Sequence, residues 1–144
     1  MATRSRIAIE KEDGTVLSIY CHWDGYPSNN GKILQENYQD REKVEKLISL
    51  GDISSLAPEV DIPEGSDHSF NSPDRNIVTA YHRDRGEDLN RPRANGTPEE
   101  FVRSDVEEYG YLFSKEGKWL FVNGHKSSHT REAVPLEGIL KEEE

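Results

Sequence analysis

Residues 6–23, RIAIEKEDGTVLSIYCHW, carry the strongest structural signal in the sequence. Two stretches rich in β-branched residues flank an EDG turn at 12–14, a pattern typical of a β-hairpin. With Gly14 in the left-handed position of a bulge after the turn, Ile9 faces Leu17. This register gathers apolar side chains on one face, namely Ile7, Ile9, Leu17, Ile19, Cys21 and Trp23. The other face then has Ala8, Glu10, Val16, Ser18, Tyr20 and His22.

The segment after the hairpin predicts two helices, a long loop and a strand. Residues 32–38 form the first helix, and Asp40 is the N-cap of a second helix that ends at Gly51. Residues 52–75 contain several prolines and few apolar side chains, so we expect an irregular excursion with at most a helical turn at 54–56. Residues 77–82 are rich in β-forming residues and predict a third strand.

The second half of the sequence predicts one more helix and a second hairpin. Thr97 and Glu100 form a capping box, which predicts a helix from Pro98 to about residue 108. The buried stripe of this helix is predicted to be Phe101, Val102 and Val106. Aromatic residues alternate along 109–113 and 118–122, which favours two paired strands around a turn.

These elements together predict an α+β fold in a single domain, residues 1–144. We expect a mainly antiparallel sheet of about five strands, with two to three helices packed on one face of it. The acidic tail at 141–144 is expected to be frayed.

The charge balance limits the classes of partner. Lys and Arg number 18 and Asp and Glu 28, so the formal net charge is 18 − 28 = −10. Such a charge argues against direct binding to nucleic acid or to an anionic membrane. The sequence has neither the apolar run of about 20 residues that spans a membrane nor a secretory signal, so we expect a cytoplasmic protein.

A single cysteine, Cys21, suits a reducing compartment and excludes an internal disulfide. We predict that it is a small core residue rather than a reactive nucleophile. The specific motifs of phosphate-binding loops, dinucleotide-binding folds, zinc hydrolases and serine hydrolases are missing from the sequence. We therefore predict no enzyme, no catalytic residue, no metal and no cofactor.

Aromatic residues cluster where the second strand leaves the hairpin. We predict that Tyr20, His22 and Tyr26 line a pocket that stacks on or hydrogen-bonds to a ring-shaped ligand, because strand ends present loop side chains from a rigid frame. The alternative is structural: Trp23 closes the core and Tyr26 packs against the turn.

A second cluster, YHRDRGED at 81–88, places two arginines in an acidic protein. The planar guanidinium groups of Arg83 and Arg85 suit phosphate or carboxylate recognition. In a strand, Tyr81 and Arg83 would lie on one face, and His82 and Asp84 on the other. The alternative is an exposed run of charges that screen one another.

The stretches SRIAIEKEDGTVLSIYCHWDGYPSNNGKIL at 5–34 and AYHRDRGED at 80–88 resemble a group of small accessory proteins of tailed bacteriophages and their prophages. The motif SIYCHWDGYP at 18–27 is the most specific part of this resemblance. It implies a cellular context, an infected bacterium, and no particular activity.

Two functions fit these observations. The first is a phage accessory protein for host takeover or counter-defence that captures a small anionic, nucleotide-like ligand through Arg83, Arg85 and the aromatic residues. Such a site could lie at a homo-oligomer contact. The second is an acidic inhibitor that binds and blocks a host enzyme, such as one that binds nucleic acid. A hydrolase that uses His22, His82 and Asp84 is a third, weaker hypothesis.

Overall fold

Eight β-strands form one mixed sheet in the computed structural model, which describes residues 3–88 and 91–142. The strands are β1 (Ser5–Glu10), β2 (Val16–Cys21), β3 (Ile53–Ser55), β4 (Thr79–Ala80), β5 (Arg93–Gly96), β6 (Tyr109–Phe113), β7 (Trp119–Asn123) and β8 (Val134–Pro135). The α-helices are α1 (Lys32–Asn37), α2 (Arg41–Ser49), α3 (Tyr81–Arg85), α4 (Pro98–Arg103) and α5 (Leu136–Glu142). A π-helical turn, Pro27–Gly31, leads into α1.

The first hairpin has the register that the sequence predicts. Ile9 is paired with Leu17 across β1 and β2. Gly14 has a positive φ of 84°, which a residue without a side chain adopts at no steric cost. The Asp13 carboxylate accepts hydrogen bonds from the Thr15 amide and hydroxyl at 3.0 and 2.6 Å, and these fix the turn.

The predicted sheet of about five mainly antiparallel strands is wrong, although the α+β class agrees with the structure. The order is β4-β3-β2-β1-β6-β7-β8, and β5 pairs with β2 beside β3. Two of the pairings, β1 with β6 and β2 with β3, are parallel. The strands β3, β4, β5 and β8 are only two to four residues long, too short for an alternating pattern to show in the sequence.

Helices pack on both faces of the sheet, so the prediction of helices on one face is also wrong. The larger cluster contains Ile7 and Ile9 of β1 with Leu34 of α1, three side chains of α2 and Leu136 of α5. On the opposite face, Ala8 and Val16 lie in a second cluster with Phe101 and Val102 of α4. The central hairpin is therefore covered on both sides.

The helix ends follow the local signals that the sequence contains. The Asp40 side chain accepts a hydrogen bond from the Glu42 amide at 3.2 Å and caps α2. Thr97 caps α4 in the same way through the Glu100 amide, also at 3.2 Å. However, α4 ends at Arg103, short of the predicted end near residue 108. The sequence pattern does not predict α5, which includes the first two residues of the acidic tail; residues 143–144 lie outside the described residues.

The segment at 77–82 differs most from its prediction. Only Thr79 and Ala80 form a strand, and the chain turns into α3 at Tyr81. The helix ends at Gly86, whose φ of 76° is left-handed. The strand-like alternation predicted for residues 81–84 is therefore wrong. The predicted helical turn at 54–56 is wrong as well, because Ile53–Ser55 is strand β3.

Within residues 3–88 and 91–142, no helix combines the length and apolar character that crossing a membrane requires.

Replacing Phe101 with Ala tests the second core face. Phe101 belongs to α4 and is fully buried where the helix packs on the sheet. We therefore expect the free energy of unfolding to fall by about 3–5 kcal/mol in urea denaturation. The exposed Glu99→Ala on the same helix serves as the control and should cost less than about 1 kcal/mol. A Phe101→Ala protein as stable as the wild type would mean that α4 does not cover the sheet.

Candidate functional site

A cavity of about 450 Å³ lies where β3 and β4 form one end of the sheet. Four parts of the chain contribute to it: the residues after β2, strand β3, the excursion at 70–73, and the β4–α3 junction. The described residues that line it are His22, Trp23, Ser54, Ser55, Phe70, Pro73, Thr79, Tyr81 and Arg85. Its volume falls within the range of small-molecule binding sites.

Backbone pairing holds the residues after β2 in place. The amides of His22 and Trp23 donate to the carbonyls of Ile53 and Ser54 at 3.2 and 3.0 Å, so the strand pairing continues past Cys21. Both aromatic side chains lie in the cavity wall. The His22 and Trp23 rings meet edge to face at 4.7 Å. Trp23 was expected in the core, but 43% of it is exposed.

Two further aromatic rings stand together in the cavity wall. The rings of Phe70 and Tyr81 have centroids 5.7 Å apart. Partial burial raises the pKa of the Tyr81 phenol above its ordinary value. With Trp23, these rings offer faces and edges on which a planar ligand could stack.

Arg85 is the one permanent charge among the described lining residues. Its guanidinium lies 4.9 Å from the centre of the Phe70 ring, a cation–π contact. Its Nε also approaches the Glu87 carboxylate at 3.2 Å, and both side chains are about half exposed. No carboxylate lies among the described residues that line the cavity, although the chain carries a net charge of −10. Within the lining, the Arg85 guanidinium is therefore the group that could bind an anion, in competition with Glu87.

Small polar side chains complete the wall on the side of the sheet. Ser54, Ser55 and Thr79 come from the neighbouring strands β3 and β4, and Thr79 is paired with Ser55. Hydroxyl groups can donate and accept hydrogen bonds, which suits the polar edge of a ligand.

The α3 side of the cavity is held by a buried network around Asp84. Arg83 donates to this carboxylate at 2.9 and 3.1 Å, and to the carbonyls of Val60 and Val78 at 2.5 and 2.6 Å. Burial acts to raise the pKa of Asp84, but hydrogen bonds from Arg83 and the Ala80 amide outweigh it and hold the pKa below its ordinary value. The network joins the excursion to α3.

His68 ties the middle of the excursion to the same carboxylate. Its side chain is fully buried, and that of Asp84 is only 2% exposed. Because Nδ1 accepts a hydrogen bond from the Asp74 amide at 2.9 Å, the ring proton lies on Nε2 and points to Asp84, at 3.3 Å. These contacts fix the loop that carries Phe70 and Pro73.

The structure brings only part of the predicted ligand set together. His22 and Arg85 line the cavity. Tyr20 stands behind, with its hydroxyl hydrogen-bonded to Nδ1 of His22 at 2.6 Å. Tyr26 is 39% exposed and does not line the cavity. Arg83 does not line the cavity and donates to the carbonyls of Val60 and Val78 instead. In a strand Arg83 and Arg85 would share a face, but in the helix they lie on nearly opposite sides.

The proposed acid–base pair of His82 and Asp84 is not formed. His82 Nδ1 is hydrogen-bonded to the Glu87 carbonyl at 2.7 Å, in an exposed position. Asp84 instead pairs with His68 and Arg83, and its Oδ2 also accepts a hydrogen bond from the Ala80 amide at 2.7 Å. Both oxygens of the Asp84 carboxylate therefore accept hydrogen bonds that stabilise the fold.

Several lining residues are missed by reasoning from sequence alone. Phe70 is the one aromatic residue in the sequence between 52 and 75, and an isolated ring in a polar loop is the signal that could have found it. Ser54, Ser55 and Thr79 give no such signal, since their place in the wall depends on the pairing of two short strands.

Other features of the described residues suggest no comparable site. A larger cavity of about 500 Å³ between α1 and α5 has no aromatic lining, and its lysines, Lys32 and Lys141, are matched by Glu36 and Glu137. Burial raises the pKa of the Cys21 thiol to about 11, so the unreactive core role fits. Within residues 3–88 and 91–142, no group of three or more His, Cys, Asp or Glu could hold a metal ion.

Comparisons with protein-family models, curated proteins and solved structures found no match to this chain. The cavity itself is therefore the basis for a functional proposal.

Replacing Asp84 with Asn tests the buried network. We expect the free energy of unfolding at pH 7 to fall by about 1–3 kcal/mol, because Arg83 loses its charged partner. The folded pKa of Asp84 lies below the unfolded value of about 3.9, so its stabilisation is complete above about pH 5 and is lost as the pH falls through the folded pKa.

Urea denaturation of both proteins at about pH 7 and about pH 3 measures this effect, and the difference in stability should shrink at the lower pH. Asp67→Asn, which changes an exposed carboxylate next to His68, is the control and should have little effect. A difference that is the same at both pH values would contradict the role given to the Asp84 charge.

Proposed function

We propose that the protein binds a small anionic, nucleotide-like ligand in the cavity beside β3 and β4. One observation carries the proposal: four aromatic rings, one of them the His22 imidazole, and one arginine line a cavity in which no described lining residue is a carboxylate. The net charge of −10 on the whole chain would by itself repel anions. The lining of the cavity differs from the rest of the chain, because it contains an arginine and no carboxylate.

The lining suggests how each part of such a ligand is held. A planar ring stacks against Trp23, Phe70 or Tyr81, since these side chains present the largest apolar surfaces. The guanidinium of Arg85 binds the anionic group, and its contact with Phe70 keeps it oriented across the cavity. His22, positioned by Tyr20, offers a further hydrogen bond.

Capture fits these residues better than catalysis. Asp84, the one carboxylate of α3, is buried and occupied by hydrogen bonds. His68 is likewise buried with both ring nitrogens engaged. Neither group can take or give a proton at the cavity without breaking the network that holds α3.

The resemblance to accessory proteins of tailed bacteriophages supports a biological setting for this binding. In that setting the protein acts in the cytoplasm of the infected bacterium, and the ligand is a small molecule of host metabolism or host defence. Sequestering such a molecule would serve host takeover or counter-defence.

A second candidate is an inhibitor that binds a host protein. Trp23 and Tyr26 favour it, because both are large apolar side chains with about two fifths of their surface exposed in the segment that follows β2. Exposed aromatic residues often become the buried centre of an interface.

Native mass spectrometry of the protein purified from bacterial cells tests both candidates, with Arg85→Gln beside the wild type. We expect the wild type to retain a compound of a few hundred daltons, and Arg85→Gln to lose most of it, because a charge-assisted hydrogen bond to the anion disappears. The expected loss in affinity is about tenfold or more.

Arg103→Gln removes an exposed arginine of α4, on the other face of the sheet, and should bind as the wild type does. Retention of the compound by Arg85→Gln would contradict the proposed site. A host protein bound without any small molecule would favour the inhibitor instead.

A further inference from the structure

The hydroxyl of Thr79 stands out among the polar atoms of the cavity wall. Thr79 is 3% exposed, and its Oγ1 is buried without a hydrogen-bond partner. No other side-chain nitrogen or oxygen in the described part of the chain is in this state. Buried hydroxyl groups in folded proteins are nearly always hydrogen-bonded, so an unpaired one needs a reason.

The fold gives no reason for a hydroxyl at this position. Thr79 belongs to a two-residue strand at the end of the sheet, where its partner Ser55 and the next pair, Ile53 and Ala80, supply the backbone register. A valine would fill the same volume and favour the strand equally, without burying an unpaired polar atom. Folding alone would therefore be served better by valine.

The cavity provides a use for the hydroxyl. Thr79 contributes to its wall together with Ser54 and Ser55 and lies two residues before α3, whose last residue is Arg85. The five residues of α3 rise by roughly 7 Å in total, at about 1.5 Å per residue. Tyr81 is the first residue of the helix, and its ring lies 5.7 Å from the ring of Phe70, which contacts Arg85.

We infer that the Thr79 hydroxyl hydrogen-bonds to a polar atom on the edge of the ligand's ring, while Arg85 holds the anion at the far end. This inference rests on the proposed function and narrows the class of ligand that the cavity binds. The ligand is then a heteroaromatic ring with nitrogen or oxygen at its edge and an anionic group separated from the ring, as in a nucleoside monophosphate. A hydrocarbon ring would leave the hydroxyl unpaired.

Access to the hydroxyl requires a local movement, because Oγ1 is shielded from solvent. Phe70 belongs to the mostly exposed segment at 61–76 and has no place in the sheet. Phe70 lines the same cavity as Thr79, and we expect its ring to shift and to pack on the ligand.

Calorimetric titration of wild type, Thr79→Val and Thr79→Ser tests the inference. The probes are adenosine, guanosine, cytidine and uridine 5′-monophosphates, with phenyl phosphate as the matched anion whose ring has no polar edge. We expect the wild type to bind at least one nucleotide about five- to tenfold more tightly than phenyl phosphate. Thr79→Val should remove that preference, and Thr79→Ser should keep it within about twofold.

Thermal unfolding without ligand supplies an independent readout. Thr79→Val should have a melting temperature equal to or above that of the wild type, because it removes an unpaired buried hydroxyl. A merely structural role for the hydroxyl predicts the opposite shift, and a clear loss of stability would overturn the inference.

The outcomes separate the inference from the proposed function. If the wild type and Thr79→Val bind nucleotides equally, the role of Thr79 is refuted and the proposed site stands, provided that Arg85→Gln still weakens binding. If the wild type binds none of the five probes, the proposed nucleotide-like ligand is refuted and the role of Thr79 with it.

Discussion

Strand β1 is buried on both faces and paired along both edges, and the remaining elements depend on that constraint. Residues 5–9 are all buried, and the strand pairs with β2 on one side and with β6 on the other. A strand in this position needs cover above and below. The helices α1, α2 and α5 supply it on one face, and α4 on the other.

Pairing of β1 with β2 also places hydrogen-bond partners beside a charged residue in the core, Arg6. Arg6 is 4% exposed and lies on the face of the sheet that α4 covers. Burial lowers its pKa below the ordinary value, but hydrogen bonds from the guanidinium to the Ser18 hydroxyl and carbonyl, at 3.0 and 3.3 Å, meet part of its need for partners. Ser18 in turn donates to Asn95 of β5, so the same contact attaches the short strand to the sheet.

The features that could be predicted from the sequence are those that depend on residues close together along the chain. The turn at 12–14 sets the register of the first hairpin, and Asp40 and Thr97 begin helices, because each acts within a few residues. The parallel partners of β1 and β2, in contrast, arrive from distant positions, and no local pattern encodes them. In the site, the sequence predicts the same ligand-binding role for both arginines, but the change from strand to helix at Tyr81 separates them: Arg83 turns to the carbonyls of Val60 and Val78, and Arg85 to the cavity.

The excursion that bears Phe70 is closed at its base by a short stretch of parallel pairing. Glu59 and Ile77 form a bridge there, and the Glu59 amide and carbonyl bond to Asn76 and Val78 at 2.9 and 2.8 Å. Since the two ends meet, the loop-closure entropy depends only weakly on the number of residues between them. The base of the loop is thus held by strand-like pairing and its middle by the contact of His68 with Asp84. A change of length outside these two attachments would alter the shape of the cavity while the strand order beneath stays the same.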